Sequence, residues 1–211
     1  MSGISAQGST LSIGTGSGTA KTITAIAVGF PTILTLAAHG LSNGDVGAIA
    51  GLTGADAALL NGLSHVVHNK TTNTIAVSVD TTGKTITAGA GALTPVAFTK
   101  INGVVSFDGL DGAAGDLDVT DLDSVAMEYI SGLKDEGKFG FEAKTLYADA
   151  GQIALAAARV SGAAKVLKLV FPDATTATFD VLVKSVPVSG AVNTVLKRKI
   201  DCKITGPVVW S

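Results

Sequence analysis

Asp108, Asp111, Asp116, Asp118, Asp121 and Asp123 crowd one stretch of the chain, and hard cations such as Ca²⁺ are held by several such carboxylates. Their spacing does not fit the twelve-residue calcium loop, which needs ligands at alternating positions and a closing Glu. The simpler expectation is a solvated acidic loop whose Asp and Thr side chains cap turns or form ion pairs. His65 and His68 raise the question of zinc, but in a strand they point to opposite faces, and no cysteine pair supports them. Cys202 is the single cysteine, so no internal disulfide forms. Gly14, Gly16 and Gly18 suggest a phosphate loop, yet no loop glycine directly precedes Lys21-Thr22. Gly83-Lys84-Thr85 has Ser78 where the first glycine belongs. All three histidines fall between residues 31 and 100, and no Gly-x-Ser-x-Gly elbow occurs, so no nucleophilic site is expected. The residues call for no catalytic role, no metal and no cofactor.

The elements around the acidic stretch are clearer. Phe139, Phe141 and Ala143 alternate with Lys138, Gly140, Glu142 and Lys144, the period of a half-buried strand. Asp149 and Gln152 have the spacing of a capping box, in which each side chain satisfies a backbone N–H of the first turn. Ile153, Ala154, Ala157 and Val160 recur at helical spacing, and Ser161-Gly162 is a stop, which predicts the one amphipathic helix. Before the helix, Asp116, Asp118, Thr120, Asp121, Asp123 and Ser124 read as an acidic, hydroxyl-bearing loop, followed by a turn at Gly132-Leu133-Lys134-Asp135. After it come strands at 165–171, 175–188 and 193–204. In the last, Lys197, Lys199, Asp201 and Lys203 share one face. Leu196, Arg198, Ile200, Cys202 and Ile204 share the other, and Gly206-Pro207 breaks the strand.

From Pro31 to Lys100 the texture differs. Short β runs are separated by turns at Asn43-Gly44, Asn61-Gly62, Asn73 and Thr82-Gly83, and Asp56–Leu60 adds a helical turn. This predicts a small self-contained β barrel or sandwich set into a larger domain formed by residues 1–30 and 101–211. The 211 residues carry 46% hydrophobic, 15% charged and 5% aromatic side chains and a net charge of -2. That balance suits an all-β protein with large surfaces turned away from water, and argues against a basic nucleic-acid reader. No signal peptide opens the sequence and no apolar run reaches membrane-spanning length, so no membrane partner is expected.

Several segments, in order, resemble the major tail tube proteins of long-tailed bacteriophages. They are Gly8–Gly14, Leu117–Ser124, Glu128–Asp135, Gly137–Phe141, the helix after Asp149, Val188-Ser-Gly190, and Ile204-Thr-Gly-Pro with Trp210-Ser211. Leu36–Asp45, Leu60–Leu63 and Thr72–Thr74 resemble a small β-barrel module likened to a domain of ubiquitin-activating enzymes, which recurs as an insert in phage tail proteins. No ubiquitin chemistry is carried over.

The first resemblance implies a mainly β fold: a tail-tube β-sandwich or barrel with one flanking α-helix, plus the inserted all-β domain. It implies hexameric rings stacked into a tube whose lumen conducts double-stranded DNA without binding it tightly. Tape measure, tail terminator and distal tail proteins are the implied partners, and the virion, assembled in the bacterial cytoplasm, the implied location. The long loop would reach the next ring through Asp116, Asp118, Asp121, Asp123, Tyr129, Lys134 and Asp135. Lys197, Lys199 and Lys203 would lie on an inter-subunit strand. Six copies of residues 31–100 cannot share a lumen with duplex DNA, so that block is expected to project outward. The alternatives are a contractile-tail inner tube, a minor tail protein, or a carbohydrate-binding or adhesion module. One Trp and two Tyr are few for a sugar-stacking surface.

Overall fold

The computed structural model describes residue 3 and residues 5–211; the first residues of the expected larger domain, 1, 2 and 4, lie outside the described residues. In chain order the strands are β1 (Thr10–Ser17), β2 (Lys21–Thr22), β3 (Ala25–Ala27), β4 (Thr32–Thr35), β5 (Val46–Ala50), β6 (Ser64–Val66), β7 (Thr74–Val77) and β8 (Ala92–Lys100). Then follow β9 (Val104–Gly109), β10 (Ala113–Asp118), β11 (Tyr129–Asp135) and β12 (Lys138–Lys144). The helix α1 (Ala150–Ser161) precedes β13 (Lys165–Val170), β14 (Thr176–Ser185), β15 (Val188–Ser189) and β16 (Lys197–Trp210). The protein is mainly β with one α-helix among the described residues, as its alternation and single capped segment predict. A 3-10 turn at Ala57–Leu59 sits where the sequence shows a helical turn.

The chain forms two compact units. The first comprises Met1–Ile101, Lys165–Thr178 and Val209–Ser211. Its sheet runs β6-β5-β8-β1-β13, with β2 also on β8, beside a three-stranded sheet β3-β4-β7. Leu34, Leu36, Ile49, Leu60, Ile75, Val77 and Leu93 form a dry core whose members all lie between residues 23 and 93. β2 and β3 are separate strands because Ile23 turns inward to full burial between them and its N–H donates to Gly91 O. A turn at Asn43-Gly44-Asp45 packs on the strands that follow the helix. Lys168 Nζ lies 2.6 Å from Asp45 Oδ1, and Thr178 Oγ1 donates to Gly44 O at 2.9 Å. Gly44 has φ +79, and a Cβ there would stand 2.3 Å from Thr176 Cγ2, so glycine is required on both counts.

The second unit comprises Asn102–Ala164 and Phe179–Val208. Its strands are ordered β14-β16-β12-β9, with β15 paired to β16. Phe139, Phe141 and Ala143 are buried as the alternation predicts, and Phe139 meets Phe179 edge to face at 5.0 Å. Ile200, Cys202 and Ile204 supply the facing apolar side of β16. That strand passes through Gly206-Pro207 to Trp210, where the sequence predicts a break.

Two expectations for the helix are corrected. Asp149 caps it, accepting from Gln152 N at 2.9 Å, but the box is not reciprocal. Gln152 is buried and instead accepts from Leu146 N and donates to Asn102 O and Lys144 O, serving the backbone that leads into the helix. The buried face is Gly151, Gln152, Leu155 and Ala158, while Ile153 and Val160 face solvent. With Arg159 as its only charge, the helix is apolar all round, and periodicity alone cannot choose a face.

Candidate assembly surface

The residues expected to be a loop form a β-hairpin arm. β10 and β11 pair from Ala113↔Asp135 to Asp118↔Tyr129, with an irregularity between Ala114 and Asp116, and Val119 N–H extends the pairing to Glu128 O. The expected turn at 132–135 is strand, because Lys134 and Asp135 pair with Ala114 and Ala113. The true turn lies farther out. There Asp118 Oδ1 accepts from Thr120 N, Asp121 Oδ1 accepts from Asp123 N and from Ser124 Oγ, and Thr120 Oγ1 accepts from Glu128 N. These carboxylates are spent on their own backbone as turn caps. Hydrogen bonding from the Thr120 side chain, and then from its backbone N–H, holds the Asp118 carboxyl below its usual range. No group of three or more His, Cys, Asp or Glu among the described residues is placed to hold a metal.

The arm's apolar side chains have nothing to pack on within the unit. Leu122 and Val125 are as exposed as in an extended chain, at 104%, and Leu133 stands at 96%. Leu117, Met127, Tyr129 and Ile130 are also exposed, and the Tyr129 hydroxyl reaches only Met127 Sδ, at 3.4 Å. Leu122, Val125 and Leu133 each forgo about 1.5–3 kcal/mol of burial. A two-stranded ribbon with no covered face is not stable by itself.

The named lysines are distributed differently from one another. Lys203 Nζ lies 2.6 Å from both oxygens of Asp135, so one expected inter-subunit residue is joined to one expected inter-ring residue within a single chain. That bond, with a further one from Gly137 N, holds the Asp135 carboxyl below its usual range. The pair is exposed and screened by solvent, so it adds little to stability. Lys197 pairs with Glu142 at 2.5 Å. Lys199, opposite Glu142 in the ladder, forms no ion pair among the described residues, and Asp116, opposite Ser131, forms none either. Lys134 lines an open cleft of about 560 Å³ at the base of the arm, with Glu136, Lys203 and Pro207.

The remaining chemistry-bearing side chains have structural roles. His39 is buried in a turn, its Nδ1 accepting from Leu41 N and its Nε2 bonded to Thr71 O. His65 bonds Leu60 O, and burial lowers its pKa and that of His68. Burial, and the Asp201 charge next to it, push the Cys202 thiol up to about 12, so it is no nucleophile at neutral pH.

No protein-family model and no curated protein matches the chain. Solved structures do. A chain from the tail of an empty GTA particle, computed with helical refinement in C6 symmetry, has a TM-score of 0.47 at 18% identity, covering 54% of this chain and 86% of that one. A chain from the anti-feeding prophage baseplate, 6-fold symmetrised, has a TM-score of 0.43 at 9% identity, covering 55% and 84%. Hcp1 from Salmonella typhimurium has a TM-score of 0.31 at 12% identity, covering 54% and 77%. At these scores and identities none of the three establishes the fold or the role of this chain.

The sequence points to the arm's charges and to Tyr129, and not to its aliphatic side chains. The signal was present: Leu117, Val119, Leu122, Val125 and Met127 lie in a stretch with no positive charge between Lys100 and Lys134. Such residues look like core until the structure shows that nothing covers them.

Proposed function

We propose that this chain is a structural, non-enzymatic subunit of a phage-type tail tube. It assembles into hexameric rings that stack around a lumen through which double-stranded DNA passes during ejection. The observation that carries the reading is the arm: a paired ribbon with Leu122, Val125 and Leu133 fully in water is built to be covered. The sheet of the second unit supports it, because β9 ends the strand order and leaves an unpaired edge that a neighbouring copy can cover. A head-to-tail contact repeated by rotation closes a ring, and repetition along the axis makes a tube. The ordered segments that resemble tail tube proteins supply the specific assignment. Tape measure, terminator and distal tail proteins are its proposed partners and the virion its proposed location, with assembly in the bacterial cytoplasm. Residues 31–100 are an accessory module on this scheme.

Negative-stain electron microscopy of the purified protein across a concentration series tests the proposal. Rings with a central hole, or hollow tubes, are the expected result. Monodisperse monomers at every concentration would overturn it, and a glycan-array signal from such monomers would favour an adhesion module.

A further inference from the structure

A pocket in the first unit is walled by the chain's single tryptophan. Trp210 and Phe171 stack with their rings 6.1 Å apart and 14° from parallel, and Ala6 also lines the wall. Ser5, Asp173 and Thr175 make the polar rim of a cavity of about 230 Å³. No basic residue lines it among the described residues. Trp210 stays 52% exposed, although indole is among the side chains that gain most from being covered.

The loop around the pocket is closed on itself. Phe171 N–H donates to Thr175 O at 2.9 Å, and Ala174 N–H donates to Phe171 O at 3.0 Å. Asp173 caps the turn, its Oδ1 accepting from Thr175 N at 3.0 Å and its Oδ2 from Thr175 Oγ1 at 2.9 Å. The strand end that carries Trp210 is tied down by Ser211 and Thr176, which exchange two backbone hydrogen bonds of 2.8 and 3.0 Å. A pocket already held in shape loses little entropy when it is filled.

Donors and acceptors decide what fits. Thr175 spends both its N–H and its hydroxyl hydrogen on Asp173, while Phe171 and Ala174 spend their N–H groups within the loop. Asp173 forms no ion pair among the described residues, and each of its oxygens keeps a second acceptor site. What the pocket offers is therefore a carboxylate beside an aromatic wall, with Ser5 Oγ as the lining hydroxyl still able to donate. An anion meets no positive group there, and a sugar, which needs several donors as well as acceptors, finds one. A guanidinium carries five donors and no acceptor, stacks flat on an aromatic face and grips a carboxylate with two donors at once.

We infer that this pocket takes an arginine side chain of a partner protein, its guanidinium lying on the Trp210 ring and bonded to Asp173. Cation–π attraction and a charge-assisted hydrogen bond act on the same group. The pocket is complete within one chain, so binding does not depend on assembly.

The test is fluorescence of the full chain, in which the signal belongs to Trp210 alone. N-acetyl-L-arginine amide is the probe, titrated at constant ionic strength. A saturable change in emission is expected, with half-saturation on the order of 1–10 mM for a single side chain. N-acetyl-L-citrulline amide, of the same shape without the charge, is expected to give no saturable change. Asp173→Asn keeps an acceptor for Thr175 and is expected to raise the half-saturation concentration at least about fivefold, with an unaltered melting curve. A titration without saturation would overturn the inference. So would equal responses to the arginine and citrulline amides, a comparison that needs no variant, or an Asp173→Asn chain that folds and binds as the wild type does. Saturation by methyl α-D-glucopyranoside and not by the arginine amide would also overturn it and assign the pocket to a sugar.

Discussion

At the scale of single residues, Gln152 shows how a local signal is put to non-local use. Its spacing from Asp149 announces a capping box, and Asp149 does cap the helix, but the Gln152 side chain faces the strand end and the following turn. Replacing it with Leu keeps the volume and leaves Leu146 N–H and the carbonyls of Asn102 and Lys144 without their partner. Thermal or denaturant unfolding of Gln152→Leu is expected to show a loss of roughly 1–3 kcal/mol. A melting curve equal to wild type would mean that solvent satisfies those groups. The Phe139, Phe141 and Ala143 alternation was legible because a strand has only two faces and charge marks the outer one. The buried face of the helix was not legible, since Ile153 and Leu155 are equally apolar and only packing separates them.

At the scale of elements, the long acidic segment was legible as an excursion and illegible as a hairpin. Its first strand, β10, sets Asp among Ala, Gly and Leu, and lacks the β-branched side chains by which a strand is recognised. Pairing is fixed by register between two segments, which the local pattern does not contain. The Gly206-Pro207 break failed for a related reason, because a proline forgoes a ladder bond only on the side where its N–H would have pointed.

Titration separates the elements. Burial lowers the His65 and His68 pKa values below 6.5, so the unfolded chain binds more protons as pH falls past that point. Their contribution is complete above pH 6.5 and is lost as pH falls through the folded values. Asp80, Asp111, Asp118 and Asp135 are held below 3.8 by hydrogen bonds, so their contribution is lost only at still lower pH. Melting temperature is therefore expected to fall in two acid limbs, to be flat from neutrality to about pH 9, and to fall again above it, where the Cys202 thiol ionises in the unfolded chain and stays protonated in the folded one. The double variant His65→Gln, His68→Gln is expected to lose the upper limb and keep the lower. One acid limb in the wild type, unaltered by those substitutions, would contradict this.

At the scale of the whole molecule, residues 23–93 hold a core of their own, and the ladder shows where a shorter connection can replace most of them. Thr22 pairs with Ala92 and Lys21 with Leu93, so the chain leaves and returns at neighbouring points. Replacing residues 23–91 with Asn-Gly, a two-residue hairpin turn, keeps β8 beside β1. Removing 31–100 strips β1 of that partner and is expected to yield insoluble protein. The Asn-Gly variant is expected to fold and, on the proposed function, to form tubes of smaller outer diameter by electron microscopy. Tubes of unaltered width would defeat the outward placement of the block.

By itself the sequence determined the β class, the single capped helix, the buried face of β12 and the turns that separate the short strands between residues 31 and 100. Each of these follows from neighbours a few residues apart, through side-chain period, cap chemistry and turn residues. Only the tertiary structure decided that the acidic stretch is a paired arm and that its apolar side chains are uncovered. It also decided that Lys203 is joined to Asp135 while Lys144 and Lys199 form no ion pair among the described residues. Burial and pairing are properties of segments brought together from far apart, and no local pattern records which of two equally apolar surfaces the chain will cover.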